Sequence, residues 1–144
     1  MRRYKPIIWA VFILYILIIL KLTIFRADVN YAERQLNLSL FTDLIYIYKH
    51  AGIRLFLRFF LGNIGWFVPF GFFTPLLSQK ENPLKTIIPG MIFSLLIETS
   101  QFIFRKGVAE LDDIILNTLG VAIGYFSYRY IAKPLLARFL PDDR

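Results

Sequence analysis

The stretch LLIETSQFIFRKGVAELDDIILNTLG, residues 95–120, places carboxyl, amide and basic side chains among runs of apolar residues. Its carboxyl groups Glu98 and Asp113 are candidates for an acid/base pair, since positioned carboxyls often carry proton transfer in enzymes. Together with the amides of Gln101 and Asn117, they could instead supply oxygen ligands to a cation or hydrogen bonds to a polar head group. Arg105 could meet a phosphate or a carboxylate. These residue types therefore allow a catalytic site or a ligand-binding site.

Helical spacing gathers the polar side chains onto narrow stripes. At about 100° per residue, Glu98, Gln101 and Arg105 share one face of a helix, and Asp113 and Asn117 share one face of the next. Glu98, Asn117 and Asn63 each lie roughly 6–9 Å from the end of a polar-flanked apolar stretch, at 1.5 Å per residue. The ligand-binding residues predicted on this basis are Asn63, Glu98, Gln101, Arg105, Asp113 and Asn117.

A structural explanation of the same residues stays open beside the functional one. A carboxylate within a membrane span costs about 2.5–3.5 kcal/mol, so several at matching depth favour a site. The alternative is that the polar groups hydrogen-bond between helices and only hold the bundle together, with Arg105 neutralising Glu98 or Asp113. The ligand or reaction site is the favoured hypothesis.

Long apolar runs predict an all-α, multi-pass membrane protein that forms a single domain over residues 1–144. Of the 144 residues, 57% are hydrophobic and 15 are Phe. Four runs approach the length of about 20 residues that crosses a bilayer as a helix. An amphipathic, aromatic segment between the first two runs predicts an interfacial helix. The predicted spans are residues 7–25, 59–77, 87–104 and 114–131.

The basic start of the chain predicts that both termini are cytoplasmic. Arg2, Arg3 and Lys5 precede the first span, and positive residues beside the first helix favour the inner side of the membrane. The first span has no small-residue cleavage pattern after it, so we predict a retained anchor. With this orientation the polar stripes meet near the outer face.

Composition narrows the partners and cofactors. The net charge of +7 is explained by basic residues flanking apolar spans, so no nucleic-acid partner is expected. The chain has no Cys and a single His, His50, which disfavours the common zinc sites, and we predict no metal and no cofactor. A membrane lipid or lipid-linked precursor is the expected partner.

Small and helix-bending residues have predicted structural roles. Gly120 and Gly124 form a GxxxG pattern that lets another helix approach closely, and an oligomer could form through them. Pro69 and Pro75 predict a bend in the second span. Gly71 lies between them, and together these residues would open space near the polar groups.

The order of these motifs resembles that of the VanZ-like membrane proteins, over roughly residues 35–125. Two departures concern the family's Pro, where Ser39 or Leu40 stands, and its Gly-Arg, which reads here as residues 105–107. Glu110 could replace the first acidic residue of the last motif. The matching positions are Asn37-Leu38 with Phe41, Gly62-Asn63, Pro69 and Gly71, Glu98 and Gln101, and Asp113, Asn117, Gly120 and Gly124.

This resemblance implies a multi-pass cell-membrane protein of the bacterial envelope, in a family whose founding member is linked to teicoplanin resistance. An outward-facing polar pocket would then bind or handle a lipid-linked envelope molecule. Two alternatives stay open: an intramembrane hydrolase or transferase that uses Glu98 and Asp113, and a protein whose polar groups only assemble helices. An enzyme is the less favoured reading, because no nucleophile stands beside a base in a recognisable motif.

Overall fold

The computed structural model describes residues 4–25, 30–79 and 82–139. Arg2 and Arg3, on which the predicted orientation depends, lie outside this part. The described chain is mainly helical, as predicted. Its helices are α1 (Lys5–Thr23), α2 (Thr42–Ala51), α3 (Ile53–Ser78), α4 (Leu84–Phe104), α5 (Leu111–Ser127) and α6 (Lys133–Phe139), and a π-helical turn, Tyr128–Ala132, joins the last two.

Three of these helices, α1, α3 and α4, are long and apolar enough to cross a membrane, with mean hydropathies of 2.4, 1.4 and 1.6. Their length and composition support a membrane protein, and they correspond to the first three predicted spans. Helix α5 has 17 residues and is not one of the three. A fourth span over residues 114–131 therefore stays a prediction.

The second predicted span begins earlier than expected. Helix α3 starts at Ile53 rather than at residue 59, because only Gly52 separates it from α2. The φ of Gly52 is +84°, a conformation that favours glycine and interrupts the helix. Helix α2 exposes Tyr46 and Tyr48 and buries Leu44. Its placement at a membrane surface stays a prediction.

Helix α5 lies against both α3 and α4, and glycines make these contacts close. A Cβ atom on Gly120 would overlap the carbonyl oxygen of Ile64, and one on Gly124 would overlap that of Val68, both on α3. The fully buried Val121 fits against Gly71 of α3 and Gly90 of α4. The GxxxG pattern thus packs helices within one chain; an oligomer through Gly120 and Gly124 stays a prediction.

Helix α3 continues through both of its prolines, from Ile53 to Ser78. The bend predicted at Pro69 and Pro75 stays a prediction. The close contact of Gly71 with the Val121 backbone gives that glycine a packing role as well.

A pair of three-residue strands interrupts the helical architecture, and the sequence prediction missed it. Strand β1 (Gln35–Asn37) pairs in parallel with β2 (Val108–Glu110), with Gln35 opposite Val108 and Asn37 opposite Glu110. Strands this short carry too few residues for an alternating pattern to be recognised. Their pairing fixes the segment before α2 against the turn between α4 and α5.

Candidate functional site

A cavity of about 510 Å³ opens among α1, α2, α3, α4, β2 and α5. One part of its wall is apolar and the other is polar. The apolar part includes Ile19, Leu22, Phe59, Trp66, Phe67 and Ile97. The polar part includes Asp43, Asn63, Glu98, Gln101, Glu110, Asp113 and Asn117.

The structure brings five of the six predicted ligand-binding residues to this one cavity. They come from three helices: Asn63 from α3, Glu98 and Gln101 from α4, and Asp113 and Asn117 from α5. Their shared position follows from the helical stripes and the antiparallel order of neighbouring helices. Their binding role stays a prediction.

The sixth residue, Arg105, is not among the residues that line the cavity. It follows α4 with a φ of +56°, and its Nη1 donates a hydrogen bond of 3.1 Å to the carbonyl oxygen of Ala32. The neighbouring Lys106 donates from Nζ to Asn30 Oδ1 at 2.8 Å. Both basic side chains therefore hold the segment that leads into β1.

Two buried side chains of α4 form the centre of the polar wall. Glu98 is 4% exposed, and its Oε2 accepts a hydrogen bond of 2.9 Å from the backbone N–H of Glu110. Gln101 is 7% exposed and donates from Nε2 to the carbonyl oxygen of Thr23 at 3.4 Å. These bonds link α4 to β2 and to α1.

Two amides connect α5 to its neighbours. Asn63 Nδ2 donates to Asp113 Oδ1 in a short contact between α3 and α5. Asn117 Nδ2 donates to Ser94 Oγ at 2.9 Å, between α5 and α4. The polar stripes of the three helices therefore contact one another directly.

Acidic residues outside the predicted ligand-binding set also line or adjoin the cavity, among them Glu110. Asp43, near the start of α2, lines the cavity and accepts a hydrogen bond from Asn37 Nδ2 at 2.9 Å. Asp112, next to the predicted Asp113, is 2% exposed, and both of its carboxylate oxygens lie 2.9 Å from the N–H of Phe41. The adjacent pair of aspartates was a visible signal for Asp112, whereas nothing in the local pattern indicated Asp43.

No group of three or more His, Asp or Glu side chains within residues 4–25, 30–79 and 82–139 is arranged to hold a metal ion. The two candidate catalytic carboxyls, Glu98 and Asp113, both line the cavity.

Comparison with known proteins places the chain in a family. The model of the VanZ/LLP1 family matches residues 12–133, which is most of the chain. The chain belongs to the VanZ/LLP1 family. The resemblance inferred from the motifs is thereby confirmed.

A curated relative supports the assignment of the chain to VanZ/LLP1. Protein VanZ of Enterococcus faecium is 29% identical over 121 residues, which cover 80% of this chain and 69% of the relative. No solved structure is significantly similar to this VanZ/LLP1 protein.

In this VanZ/LLP1 protein, Glu110 of β2 lies in an acidic environment outside the membrane-spanning helices. Burial raises the pKa of its carboxyl from 4.5 to about 7, and the negative charges of Asp113, Asp43 and Asp112 add to the rise. Glu98 of α4 also faces it through the bond to its N–H. The folded protein therefore holds this proton to higher pH than the unfolded chain does.

The thermal stability of the purified protein should consequently fall as the pH rises. The contribution of Glu110 is fully present below pH 4.5 and is lost as the pH rises through about 7. In Glu110→Gln the midpoint of thermal unfolding should depend less on pH across this window. The exposed Glu33→Gln is the matched control and should follow the wild type. Equal pH dependence of Glu110→Gln and wild type would contradict the assignment.

Proposed function

We propose that this VanZ/LLP1 protein binds or handles an amphipathic molecule of the bacterial cell envelope, such as a lipid-linked precursor, in the cavity. The observation that carries the proposal is the divided wall of that cavity, which is polar on one part and apolar on the other. Its volume of about 510 Å³ is in the usual range for ligand pockets.

The apolar wall suits a lipid chain. Phe59, Trp66 and Phe67 of α3 offer aromatic surface, and Ile19 of α1 and Ile97 of α4 complete it. Helices α1, α3 and α4 are also the three that can cross a membrane. A lipid could therefore keep its chain at membrane depth while its head group reaches the polar wall.

A structural function of the polar residues has its own support. Asn117 bonds to Ser94 between α5 and α4, and Asn63 bonds to Asp113 between α3 and α5. Such bonds contribute about 0.6–2 kcal/mol each to helix association in a membrane. This second candidate predicts that variants lose stability without a specific loss of binding.

The proposed location is the cell membrane, with both termini cytoplasmic and the cavity near the outer face. This location would expose the site to molecules of the outer envelope. By analogy with the family's link to teicoplanin, we propose that occupancy of the cavity affects how cells respond to that antibiotic.

The isosteric variant Glu98→Gln tests the proposal. It keeps an oxygen that can accept the N–H of Glu110 but replaces the carboxyl group with an amide, so the fold should persist. We expect binding of envelope lipids to weaken by about tenfold, as expected when a charged hydrogen bond is lost. The measurements are native mass spectrometry of lipids that co-purify with the protein and teicoplanin susceptibility of cells producing each variant.

Asn117→Ala provides a second variant, and Glu33→Gln is a control away from the cavity. Unchanged lipid retention and unchanged susceptibility in both cavity variants, at wild-type abundance in the membrane, would contradict the proposed function. Reduced thermal stability with normal lipid retention would favour the structural candidate instead.

A further inference from the structure

The polar wall of the cavity is acidic although the chain as a whole is basic. Four carboxyl side chains line it, and no Lys, Arg or His is among the described residues that do so. The chain carries a net charge of +7. The four residues are Asp43, Glu98, Glu110 and Asp113.

Several hydrogen-bond donors of this wall already bond to the protein. Asn63 gives its Nδ2 to a carboxylate of Asp113, and Gln101 gives its Nε2 to a backbone carbonyl. Carboxylate and carbonyl oxygens only accept, so they fix which end of each amide points towards them. The N–H of Glu110 is likewise bonded to Glu98.

Three hydrogen-bond acceptors of the polar wall have no bonded donor among the described residues. Glu98 keeps its Oε1, Gln101 its Oε1 and Asn117 its Oδ1 without a bonded donor from the described residues. These side chains are more than nine-tenths buried. Every fully enclosed side-chain N or O atom in the described part of the chain has a partner, so these three oxygens border open space. That space is the cavity which the three residues line.

Acceptors in such deeply buried side chains gain from a bonded donor, so a donor-bearing ligand in the cavity would be stabilising. We infer that the head group bound in this cavity carries a primary ammonium, whose three N–H groups donate to Glu98, Gln101 and Asn117. The inference rests on the proposed function and specifies its ligand class as an amine-bearing amphiphile. A phosphate or carboxylate would meet four carboxyls and no basic side chain among the described residues that line the cavity.

This ligand differs from the one that the basic residues of the sequence suggested. Arg105 was the candidate for a contact with phosphate, but its side chain bonds to Ala32, and that of the neighbouring Lys106 bonds to Asn30. A quaternary ammonium also fits less well, since it has the charge but no N–H to donate.

Four small probes distinguish the effects of head-group charge, of N–H donors and of the length of the alkyl chain. They are dodecylammonium, dodecyltrimethylammonium, dodecyl phosphate and butylammonium. The full chain is placed in phosphatidylcholine nanodiscs, whose lipid has no N–H donor in its head group. Because the chain has two Trp residues, Trp9→Phe leaves only Trp66 of the cavity wall to report binding by its fluorescence. Titrations are made well above pH 7, so that Glu110, whose pKa is about 7, is ionised.

We expect dodecylammonium to bind about tenfold more tightly than dodecyltrimethylammonium and dodecyl phosphate, the ratio for one charge-assisted hydrogen bond. The double variant Asp43→Asn with Glu110→Gln should lose about that factor for dodecylammonium alone. Glu33→Gln, at an exposed residue that does not line the cavity, should bind like the wild type. Nonspecific attraction to a basic chain would produce the opposite order, with dodecyl phosphate the tightest.

Two results would overturn the inference while leaving the proposed function in place. One is saturable binding in which dodecyl phosphate or dodecyltrimethylammonium equals dodecylammonium. The other is an unchanged affinity for dodecylammonium in the double variant. If butylammonium bound as tightly as dodecylammonium, the inference that the ligand needs an alkyl chain would be wrong. Absence of saturable binding by every probe would reject the proposed function itself, and the inference with it.

Discussion

Replacing Gly120 with alanine is expected to cause a large loss of stability. A Cβ atom there would overlap the carbonyl oxygen of Ile64 on α3. The obstacle is backbone within a helix, so it cannot rotate away as a side chain would. Helix α5 would have to separate from α3, which would weaken the contacts of Val121 with both neighbours. Gly124→Ala should act in the same way through Val68.

Overpacking typically reduces the free energy of unfolding by 1–3 kcal/mol. We expect about 3 kcal/mol for Gly120→Ala, since two helix backbones are forced apart. The measurement is the free energy of unfolding in mixed micelles titrated with a denaturing detergent, together with the abundance of folded protein in the membrane. Both quantities should fall for the Gly120→Ala and Gly124→Ala variants.

Two glycines of the same helix pair supply the matched controls. No atom lies within 4 Å of the position that a Cβ would take on Gly62 or Gly65. Alanine at these positions should be neutral or stabilising by about 0.5–1 kcal/mol, because glycine weakens a helix interior. The packing argument would be wrong if Gly120→Ala behaved like Gly65→Ala.

The glycine pattern predicts close helix packing but does not identify the partner helix. A GxxxG motif predicts that some backbone approaches closely, but two helices of one chain and two chains satisfy it equally well. The structure assigns Gly120 and Gly124 to α3 of the same chain. Only the fold reveals that partner, since α3 and α5 are not adjacent along the chain.

The same distinction explains which site residues could be predicted. Asn63, Glu98 and Asn117 lie on regular helices, where a period of 3.6 residues determines the face of each side chain. Asp43 reaches the cavity only because residues 30–41 fold back beside the turn after α4. The path of these residues depends on nonlocal contacts, and their sequence has no periodic pattern from which it could be predicted. Arg105 was placed incorrectly in the stripe, since the backbone leaves the helix at that residue with a φ of +56°.

Residues 30–41, which we term the connecting segment, bring α2 to the cavity. The N–H of Tyr31 donates to the Arg105 carbonyl at 3.0 Å, and β1 pairs with β2. The segment ends at Phe41, whose φ of +55° is unusual for a residue with a side chain. Its N–H donates to both carboxylate oxygens of the buried Asp112 at 2.9 Å. Asp112 therefore fixes the point from which α2 begins.

Asp112→Ala should release this end of the segment. Hydrogen bonds to charged groups contribute about 1.5–3 kcal/mol, which corresponds to a change of roughly 10- to 150-fold in a local opening equilibrium. Hydrogen exchange measured by mass spectrometry should therefore accelerate by about that factor at Phe41 and over α2. Helices α3 and α4, which do not depend on this bond, should retain wild-type exchange.

Asp112→Asn is the conservative control, because the amide keeps one oxygen that can accept the N–H of Phe41. Its exchange rates over α2 should lie between those of the wild type and the alanine variant. Wild-type exchange over α2 in Asp112→Ala would show that the segment is held by the strand pair and by Tyr31 without Asp112.

The exchange experiment also separates positioning from ligand contact. Asp112 is not among the residues that line the cavity, whereas Asp43 and Leu44 of α2 are. The alanine variant should therefore loosen α2 without any ligand present, and weaker binding would follow from the displaced Asp43. Asp43→Asn, by contrast, should weaken ammonium binding while the exchange of the α2 backbone stays close to wild type. If Asp112→Ala mainly accelerates exchange over α2 and Asp43→Asn mainly weakens ammonium binding, Asp112 assembles the cavity and Asp43 contacts the ligand.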